Sequence, residues 1–276
     1  MNKKGGFLQK LAAAPYLVWT AVFVVVPLIM VAYFAFIGED GKFTLDYIKE
    51  VGKYGDIFLR SILMAAIATV ICLIISYPVA FILSRMNTKV QSTMVMLVML
   101  PMWMNFLLRT YAWMTLLGNE GLINHLLGFV GLGPFKMLNT SGAVVLGMIY
   151  NYLPYMILPL YTVMEKIDKS VLEAASDLGC NRISTMLRVV VPLSLPGIMS
   201  GITMVFVPAI STFIISRMLG GGGNLLIGDL IEMQFLGNAY NPNLGAAISL
   251  VLMVIVLIIM TVMNQFDSSD DERVLI

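Results

Sequence analysis

Glycines and serines come closest in this sequence to a phosphate-binding or nucleophilic motif. The run Gly220–Gly223 lacks the Lys that follows the glycines of a phosphate-binding loop, so we predict no ATP hydrolysis by this chain itself. Ser170, Ser176 and Ser184 have no nearby His in the sequence to act as a base. The single His125 excludes a His-based metal cluster. The sequence therefore predicts no catalytic centre, no bound metal and no cofactor.

Polar residues within or beside apolar stretches are the other candidates for function. Asn105 and Arg109 are four apart, which predicts that they share one face of a helix. Polar groups at membrane depth are costly to bury and are therefore functional candidates. For Arg109, a structural contact with a carboxylate or a carbonyl is the alternative. Asp229 and Glu232, three apart in the amphipathic segment 224–236, indicate a cation or docking contact, with a solvated surface as the alternative.

The composition shows which kind of element must position these residues. The chain has 276 residues, of which 59% are hydrophobic and 12% charged, and its mean hydropathy is +0.90. Soluble domains contain about 25% charged residues, so this chain has too little charge to cover a globule in water. A net charge of +1 offers no field that would gather nucleic acid. The sequence predicts an all-α integral membrane protein.

Six apolar runs are each long enough to cross a bilayer, which takes about 20 residues. We expect one transmembrane domain over residues 1–276, because the runs are joined by segments too short for a further folded domain. The predicted spans are Pro15–Ile37, Leu59–Ser84, Ser92–Leu117, Ala143–Met164, Leu193–Leu219 and Leu244–Phe266.

The distribution of Lys and Arg predicts the orientation of the spans. Ten of these residues flank the spans on the side of the termini: Lys3, Lys4, Lys10, Arg85, Lys89, Lys166, Lys169, Arg182, Arg188 and Arg273. Six lie on the opposite side: Lys42, Lys49, Lys53, Arg60, Lys136 and Arg217. Because positive loops stay inside, both termini are predicted to be cytoplasmic, as is the charged loop 165–192.

The loop 165–192 has the signals of a short helical hairpin. Ser170 and Glu173 form a capping box, which predicts a helix from Val171 with Leu172, Ala175 and Ser176 on one face. Gly179 can take the left-handed conformation that ends a helix. Asn181 or Ser184 is expected to cap a second helix that leads through Pro192 into the membrane.

This loop resembles the EAA loop of permease subunits in binding-protein-dependent ABC importers. The matching residues are Glu173-Ala174-Ala175-x-x-x-Gly179 and Val189-x-Val191-Pro192, with Val at two positions where the family prefers Ile and Leu. The resemblance implies that Glu173, Ala174, Ala175, Gly179 and Pro192 couple the chain to an ATPase. Glu173 could pair with a basic ATPase residue or cap its own helix, and a solvated hairpin is the alternative for the whole loop.

Two further motifs resemble the B-type permease subunit of spermidine/putrescine importers. They are Pro101-x-Trp103-x-Asn105-x-x-x-Arg109-x-Tyr111 and the stretch from Gly220 to Asp229. This resemblance implies a permease of the type I ABC importer fold in a bacterial inner membrane. It also implies a heterodimer with a second, related permease, two copies of an ATPase, and an extracytoplasmic polyamine-binding protein.

A polyamine pathway, as the resemblance implies, calls for aromatic faces and carboxylates. Cation–π contacts contribute about 0.5–2 kcal/mol each. The candidates for this pathway are Trp103, Asn105, Tyr111, Tyr152, Asp229 and Glu232. Aromatic side chains also anchor helix ends at the membrane surface, which is the alternative for Trp113 and Tyr150 in particular. Pro208 is expected to kink the fifth span beside a gate.

Two other functions stay open at this point. The chain could belong to an importer of another small solute, since the binding protein sets most of the specificity. It could also be an ATP-independent secondary transporter, which would need ion-coupling carboxylates in mid-span. The predicted spans contain no such mid-span Asp or Glu.

Overall fold

The computed structural model of the chain describes residues 15–38, 40–237 and 239–271, with side chains as far as residue 263. Helices make up most of these ranges, and an isolated antiparallel bridge joins Ile37 to Phe43. The all-α prediction is confirmed. The terminal charges used for the orientation, Lys3, Lys4, Lys10 and Arg273, lie outside the described residues.

The helices are numbered here in chain order. The first seven are α1 (Pro15–Phe36), α2 (Asp46–Val51), α3 (Gly55–Ser84), α4 (Thr88–Trp103), α5 (Phe106–Leu116), α6 (Leu122–Phe129) and α7 (Ser141–Glu165). They are followed by α8 (Lys169–Asp177), α9 (Arg182–Leu193), α10 (Leu195–Ile210), α11 (Ile214–Leu219), α12 (Ile227–Leu236) and α13 (Pro242–Asp271).

Four of these helices are long and apolar enough to cross a membrane: α1, α3, α7 and α13. Two further spans are possible if each of two bent pairs counts as one crossing. The helices α4 and α5 meet at 88°, and α9 and α10 meet at 70°. The prediction of six spans fits this count, but the third and fifth spans are not continuous helices as predicted.

Local chemistry explains why the third and fifth spans break. The third breaks after Trp103, because Met104 and Asn105 adopt extended backbone angles and Asn105 caps the next helix. The fifth was predicted to run from Leu193 to Leu219, yet α10 ends at Ile210 and α11 starts only at Ile214. Pro208 lies in the last turn of α10, where it removes the N–H that would bond to the carbonyl of Met204 and so favours the break that follows two residues later.

The chain divides into two compact units. Among the described residues, the first combines those up to 55 with 230–255, and in it α1 contacts α2 while Asn243 donates to the carbonyl of Ile37 over 2.9 Å. The second combines residues 56–229 with the described residues from 256 onward and contains α3 to α11. The single domain over 1–276 stays a prediction.

Helix α7 forms the centre of the second unit, and α10 packs along it. Its buried face repeats every four residues at Val144, Met148, Met156, Leu160 and Met164. The contact with α10 is close because α10 presents glycine there. A Cβ at Gly197 would lie 3.0 Å from the carbonyl oxygen of Pro159, so any larger residue would push the helices apart.

Two wide helical turns precede prolines. In α1 the turn Ala21–Val25 is π-helical, and the N–H of Val26 donates to the carbonyl of Ala21. In α9 the turn Met186–Val190 repeats this pattern, with Val191 donating to Met186. Pro27 and Pro192 follow directly. Because a proline ring clashes with the carbonyl four residues back, an expanded turn lets each helix continue through its proline.

Candidate functional site

The loop 165–192 folds as the predicted hairpin, but its first helix starts earlier than predicted. Helix α8 begins at Lys169, and its N-cap is Asp168, whose carboxylate accepts from the N–H of Ser170 over 3.1 Å. The prediction that Ser170 and Glu173 form a capping box at the start of this helix is therefore wrong. A carboxylate two residues earlier takes this position because it satisfies a free N–H and also carries a charge that the helix start favours.

The same hydrogen bond affects the acidity of Asp168. The backbone N–H of Ser170 holds the pKa of the Asp168 carboxyl below its ordinary value of 3.8. Since the carboxylate is the form that accepts this bond, ionisation and capping support each other.

Gly179 ends α8 as predicted. Its φ is +83°, in the left-handed region that favours glycine. The N–H of Gly179 donates to Ser176 over 2.9 Å, and the N–H of Cys180 donates to Ala175 over 3.0 Å. These two bonds form a Schellman motif, which satisfies carbonyls at the end of the helix. The turn is thus fixed by backbone bonds as well as by the glycine.

The second helix of the hairpin is capped by Asn181, one of the two predicted residues. Its side-chain oxygen accepts from the N–H of Ser184 over 2.8 Å. The helix α9 then runs through Pro192 and ends at Leu193, where the chain turns by 70° into α10. The side chain of the fully buried Ser194 lies in this bend, 2.9 Å from the hydroxyl of Tyr77 on α3.

The two faces of α8 differ in exposure. Ala175 is buried, and Leu172 and Ser176 line a cavity of about 470 Å³ between α8 and α9, so the predicted common face is confirmed. Glu173 and Ala174 lie on the exposed side, and Leu178 beyond them is 86% exposed. The outer face of the hairpin therefore combines a small residue, a carboxylate and an apolar side chain that the other described residues leave exposed.

Arg85 connects α3 to the start of this hairpin, a role that the sequence analysis missed. Its guanidinium donates to the carbonyls of Ile167 over 3.0 Å and Met164 over 3.3 Å, where α7 ends and the loop begins. Phe81 lies 5.7 Å below the guanidinium. Burial lowers the pKa of Arg85. An Arg that directly follows a span was counted for orientation only, although such a residue can also cap a neighbouring helix end.

Asn105 does not share a continuous helix face with Arg109, contrary to the prediction. Its side chain accepts from the N–H groups of Leu107 over 2.8 Å and Leu108 over 3.4 Å, so it is the N-cap of α5. Trp103 and Tyr111, on either side of the break, are 71% and 52% exposed. These two aromatic side chains have free faces, which suits contact with a ligand, a lipid or another protein.

Tyr152 is buried beside the break between α10 and α11. Its hydroxyl donates to the carbonyl of Pro208 over 3.3 Å, and its ring meets that of Tyr155 edge-on at 6.4 Å. Tyr152 thus joins α7 to the end of α10.

Arg109 is itself buried, and its guanidinium lies 5.8 Å from the ring of Phe106. Its Nε and Nη1 atoms have no hydrogen-bond partner among the described residues. The predicted contact of Arg109 with a carboxylate or a carbonyl is therefore not seen at these two atoms among the described residues.

Asp229 is buried, so the solvated-surface alternative is wrong for this residue. One carboxylate oxygen accepts from the N–H of Leu226 over 2.8 Å, at the start of α12. The N–H of Ile227 donates to Ser61 of α3 over 2.9 Å. Glu232 belongs to the other compact unit and is partly exposed. A shared cation site of Asp229 and Glu232 stays a prediction.

The chain matches a known protein family over nearly its whole length. Residues 2–268 match the binding-protein-dependent transport system inner membrane component. The chain is 37% identical over 264 residues to the spermidine/putrescine transport system permease protein PotB of Haemophilus influenzae, which covers 92% of both chains. It is 38% identical over 247 residues to PotB of Escherichia coli, covering 86% of this chain and 90% of that one.

Solved structures agree with the fold. A bacterial ABC transporter involved in the import of the acidic polysaccharide alginate matches with a TM-score of 0.82 at 16% identity, covering 96% of both chains. The methionine ABC transporter MetNI, in an inward-facing conformation, matches with a TM-score of 0.56 at 16% identity, covering 78% of this chain and 94% of that one. At this identity the likeness concerns the fold alone.

Proposed function

The chain belongs to the inner membrane components of binding-protein-dependent transport systems, and we propose that it is the polyamine-conducting permease subunit of an ATP-dependent importer. Its place is the bacterial inner membrane, which it crosses several times. The observation that carries the proposal is the hairpin α8–α9, a capped and rigidly ended helix pair in the position of the EAA loop. Relatives that are 37–38% identical carry the names of spermidine/putrescine permeases.

The proposed machine supplies its energy from outside this chain. We infer two copies of an ATPase below the hairpin and a second, homologous permease beside this one, forming a heterodimer. An extracytoplasmic protein would deliver the polyamine. One structural neighbour is described in complex with a ligand-bound periplasmic protein, which supports that part of the assembly. The chain itself lacks a phosphate-binding loop, so the proposal gives it no ATPase site.

Coupling in this proposal is mechanical. The ATPase receives the outer face of α8, where Glu173 and Ala174 are exposed. Ala175 contributes only indirectly, because it is buried inside the hairpin and stabilises the position of α8. The bonds that hold Gly179 keep α8 at a fixed angle to α9, so a displacement of α8 reaches Pro192 and the bend at Ser194.

The polyamine path is proposed to use aromatic faces and carboxylates. Trp103 and Tyr111 have exposed rings that suit cation–π contact. Three other candidates are bonded to backbone groups at helix ends: Asn105 at the start of α5, Tyr152 at the end of α10 and Asp229 at the start of α12. In the proposal these residues shape the path, and Glu232 remains a candidate for direct contact with the cation.

The orientation in this proposal has both termini in the cytoplasm. The ten-to-six distribution of Lys and Arg supports it. Within the described residues, Lys166, Lys169, Arg182 and Arg188 cluster around the hairpin. This charge cluster supports the proposal that α8 faces the cytoplasm, where an ATPase would bind it.

The test combines recovery of partners with transport. The full chain carries an affinity tag, is extracted from its native membrane in mild detergent, and its bound proteins are identified by mass spectrometry. We expect an ATPase with a phosphate-binding loop and a second permease of similar length. The recovered complex in vesicles should then take up labelled spermidine when ATP and the binding protein are present.

Each negative result of these two tests favours a different alternative function. Recovery of the chain alone, in detergent that preserves other importers, would favour the ATP-independent transporter. Recovery of the partners without spermidine- or putrescine-dependent ATP hydrolysis would keep the importer and assign it another small solute. Loss of uptake when the Lys of the partner's phosphate-binding loop is replaced would support ATP dependence.

A further inference from the structure

A groove of about 890 Å³ runs between α3 and α7 in the second unit. One wall consists of α3 residues repeating every four positions, including Leu63, Ile67 and Ile71. The other wall comes from the first turns of α7, including Val145 and Ile149. Leu63 and Ile67 are about half exposed, so none of the residues that the structure describes covers the groove there.

Opposite charges stand at one end of this apolar groove. Asp56 and Arg60 both line it, one helical turn apart on α3. Among the described residues they do not form an ion pair with each other. The Nη1 atom of Arg60 donates to the carbonyl of Gly223 over 2.9 Å, which fixes the guanidinium at the mouth of the groove. Its other N–H groups remain available for an acceptor, since a guanidinium has five.

The lining argues against another transmembrane helix as the occupant. Helix contacts in membranes favour small residues, because they let backbones approach closely. The close contacts within this chain follow that rule, as at Gly197 and Gly201 against α7. The groove is lined along its length by Leu, Ile and Val, and its one glycine, Gly142, lies at the mouth. A flexible chain fits such a lining better than a rigid helix does.

We propose that this groove binds one aminophospholipid, such as phosphatidylethanolamine. The phosphate accepts from Arg60, the ammonium group pairs with Asp56, and an acyl chain lies between α3 and α7. The α7 wall, residues 141–149, spans about 12 Å at 1.5 Å per residue, close to the roughly 15 Å of hydrocarbon in one leaflet. The α3 wall, from Asp56 to Ile75, is longer, at about 28 Å, so the acyl chain is enclosed from both sides only in the leaflet next to the charged end.

The lipid would complete the packing of α3 on α7. Farther along the same two helices, Cys72 is fully buried and its thiol lies 3.9 Å from the carbonyl of Ile149. Arg85 joins them at the far end. At the charged end the groove separates them, so Leu59, Leu63 and Ile67 stay about half exposed among the described residues, and an acyl chain supplies contacts to them. This inference does not depend on the identity of the transported solute.

The test measures lipid retention by the full chain together with its bound partners. The protein is extracted in native membrane patches with a polymer, delipidated stepwise with detergent, and examined by native mass spectrometry. We expect one phosphatidylethanolamine per chain to survive washing that removes the other lipids. Arg60→Gln should reduce retention about tenfold, because a charge-assisted hydrogen bond is lost.

A second variant separates lipid binding from loss of charge. Gly142→Leu fills the mouth of the groove, and a Cβ there meets only the Thr140 hydroxyl, at 3.8 Å, so the helix tolerates the change. We expect it to abolish retention. Gly128→Leu is the matched control, since a Cβ at Gly128 meets nothing within 4 Å and the residue does not line the groove. It should retain lipid like the wild type.

Three outcomes would overturn the proposal. One is equal retention in the wild type and in Arg60→Gln, Gly142→Leu and Gly128→Leu. Another is equal retention of phosphatidylglycerol, which lacks the ammonium group that Asp56 is proposed to bind. The third is a photo-crosslink from position 63 to the second permease instead of to lipid, which would identify the groove as a protein interface.

Discussion

The two bends of the molecule are held in different ways. The loop elbow, at Ser194 between α9 and α10, is buried and tied to another helix, because the Ser194 hydroxyl lies 2.9 Å from that of Tyr77 on α3. The exposed elbow, at Met104 and Asn105 between α4 and α5, is held by the side chain of Asn105 bonding to its own next turn. Met104 is half exposed and Trp103 more so.

These two ways of holding a bend suit different roles in one chain, since one bend can pass on a displacement and the other can change its angle. A bend fixed to a neighbouring helix moves with that helix, so the loop elbow can pass a displacement on. The hydrogen bonds of the Asn105 side chain stay within its own helix, so this bend can change its angle without breaking one of them to another helix, although α4 and α5 both also pack on α7. We therefore interpret the loop elbow as the transmitting bend and the exposed elbow as the adaptable one.

The largest effect is expected from Gly179→Pro in the hairpin. Proline cannot adopt a φ of +83° and removes the N–H that bonds to Ser176, a cost of ~3 kcal/mol or more. Uptake should fall more than about tenfold, while the chain still inserts and the ATPase still hydrolyses ATP. Glu173→Arg should act in the same direction from the exposed face.

Gly131→Pro provides the control for this prediction. Gly131 also has a positive φ, +76°, and its N–H donates to Gly128, but it lies between α6 and α7, away from the hairpin. We expect uptake per hydrolysed ATP to stay normal in that variant. Normal uptake by Gly179→Pro, at a normal amount of protein in the membrane, would contradict the coupling assignment.

Arg85→Met should have the next largest effect. It removes two charge-assisted hydrogen bonds to the end of α7 but keeps an apolar stem over Phe81. We expect about 2 kcal/mol less stability and a lower ratio of uptake to ATP hydrolysis, measured by thermal unfolding and in vesicles. Lys89→Met, at an exposed position in α4, should change neither quantity. An unchanged ratio of uptake to ATP hydrolysis in Arg85→Met would show that Arg85 stabilises the fold but takes no part in coupling.

The helix caps offer a direct comparison of the two bends. Asn105→Ala and Asn181→Ala each remove a side chain that accepts from the first turn of a helix. Each should cost about 1 kcal/mol, but only Asn181→Ala should lower uptake per ATP at saturating polyamine, because it loosens the hairpin. Asn105→Ala acts on the path instead and should change the polyamine concentration that half-saturates uptake. Asn→Ser at either position should restore the loss. Equal coupling defects in both alanine variants would remove the distinction between the bends.

The smallest effect concerns pH at the start of α8. The folded-state pKa of Asp168 is depressed, so its contribution is present above the ordinary value of 3.8 and is lost as the pH falls through the lower folded value. Amide hydrogen exchange at Ser170, corrected for its intrinsic pH dependence, should therefore accelerate in that acidic range. Asp168→Asn keeps a capping oxygen without the charge and should show no such step; the same step in that variant would exclude Asp168 as its cause.

Two helix ends that depend only on residues close in the sequence were predicted correctly from the sequence. Gly179 and Asn181 act within a few positions of themselves, and both were predicted. The start of α8 was missed by two residues because Ser170 and Asp168 both suit a cap, and only the folded backbone decides between them. The break at Asn105 was missed because hydropathy does not register a polar cap inside an apolar run.

Contacts between distant residues could not be predicted in this way. Tyr77 meets Ser194 across 117 positions, Arg85 meets Ile167 across 82, and Arg60 meets Gly223 across 163. Each joins a polar side chain in or directly after α3 to a backbone or hydroxyl group in a distant loop or bend. A single sequence reveals the polar residue but not its partner, since that depends on how the spans pack.

The wide turn before Pro192 changes which side chains of α9 share a face before and after it. A π-helical turn contains one residue more than an α-helical turn, so everything beyond it is rotated by about 100° relative to an uninterrupted helix. Ile183 and Leu187, before or within the turn, are exposed, whereas Val190 at its end is buried. Deleting one residue from 186–190 would turn the elbow to a different azimuth. The register of this helix thus sets the direction in which the loop points.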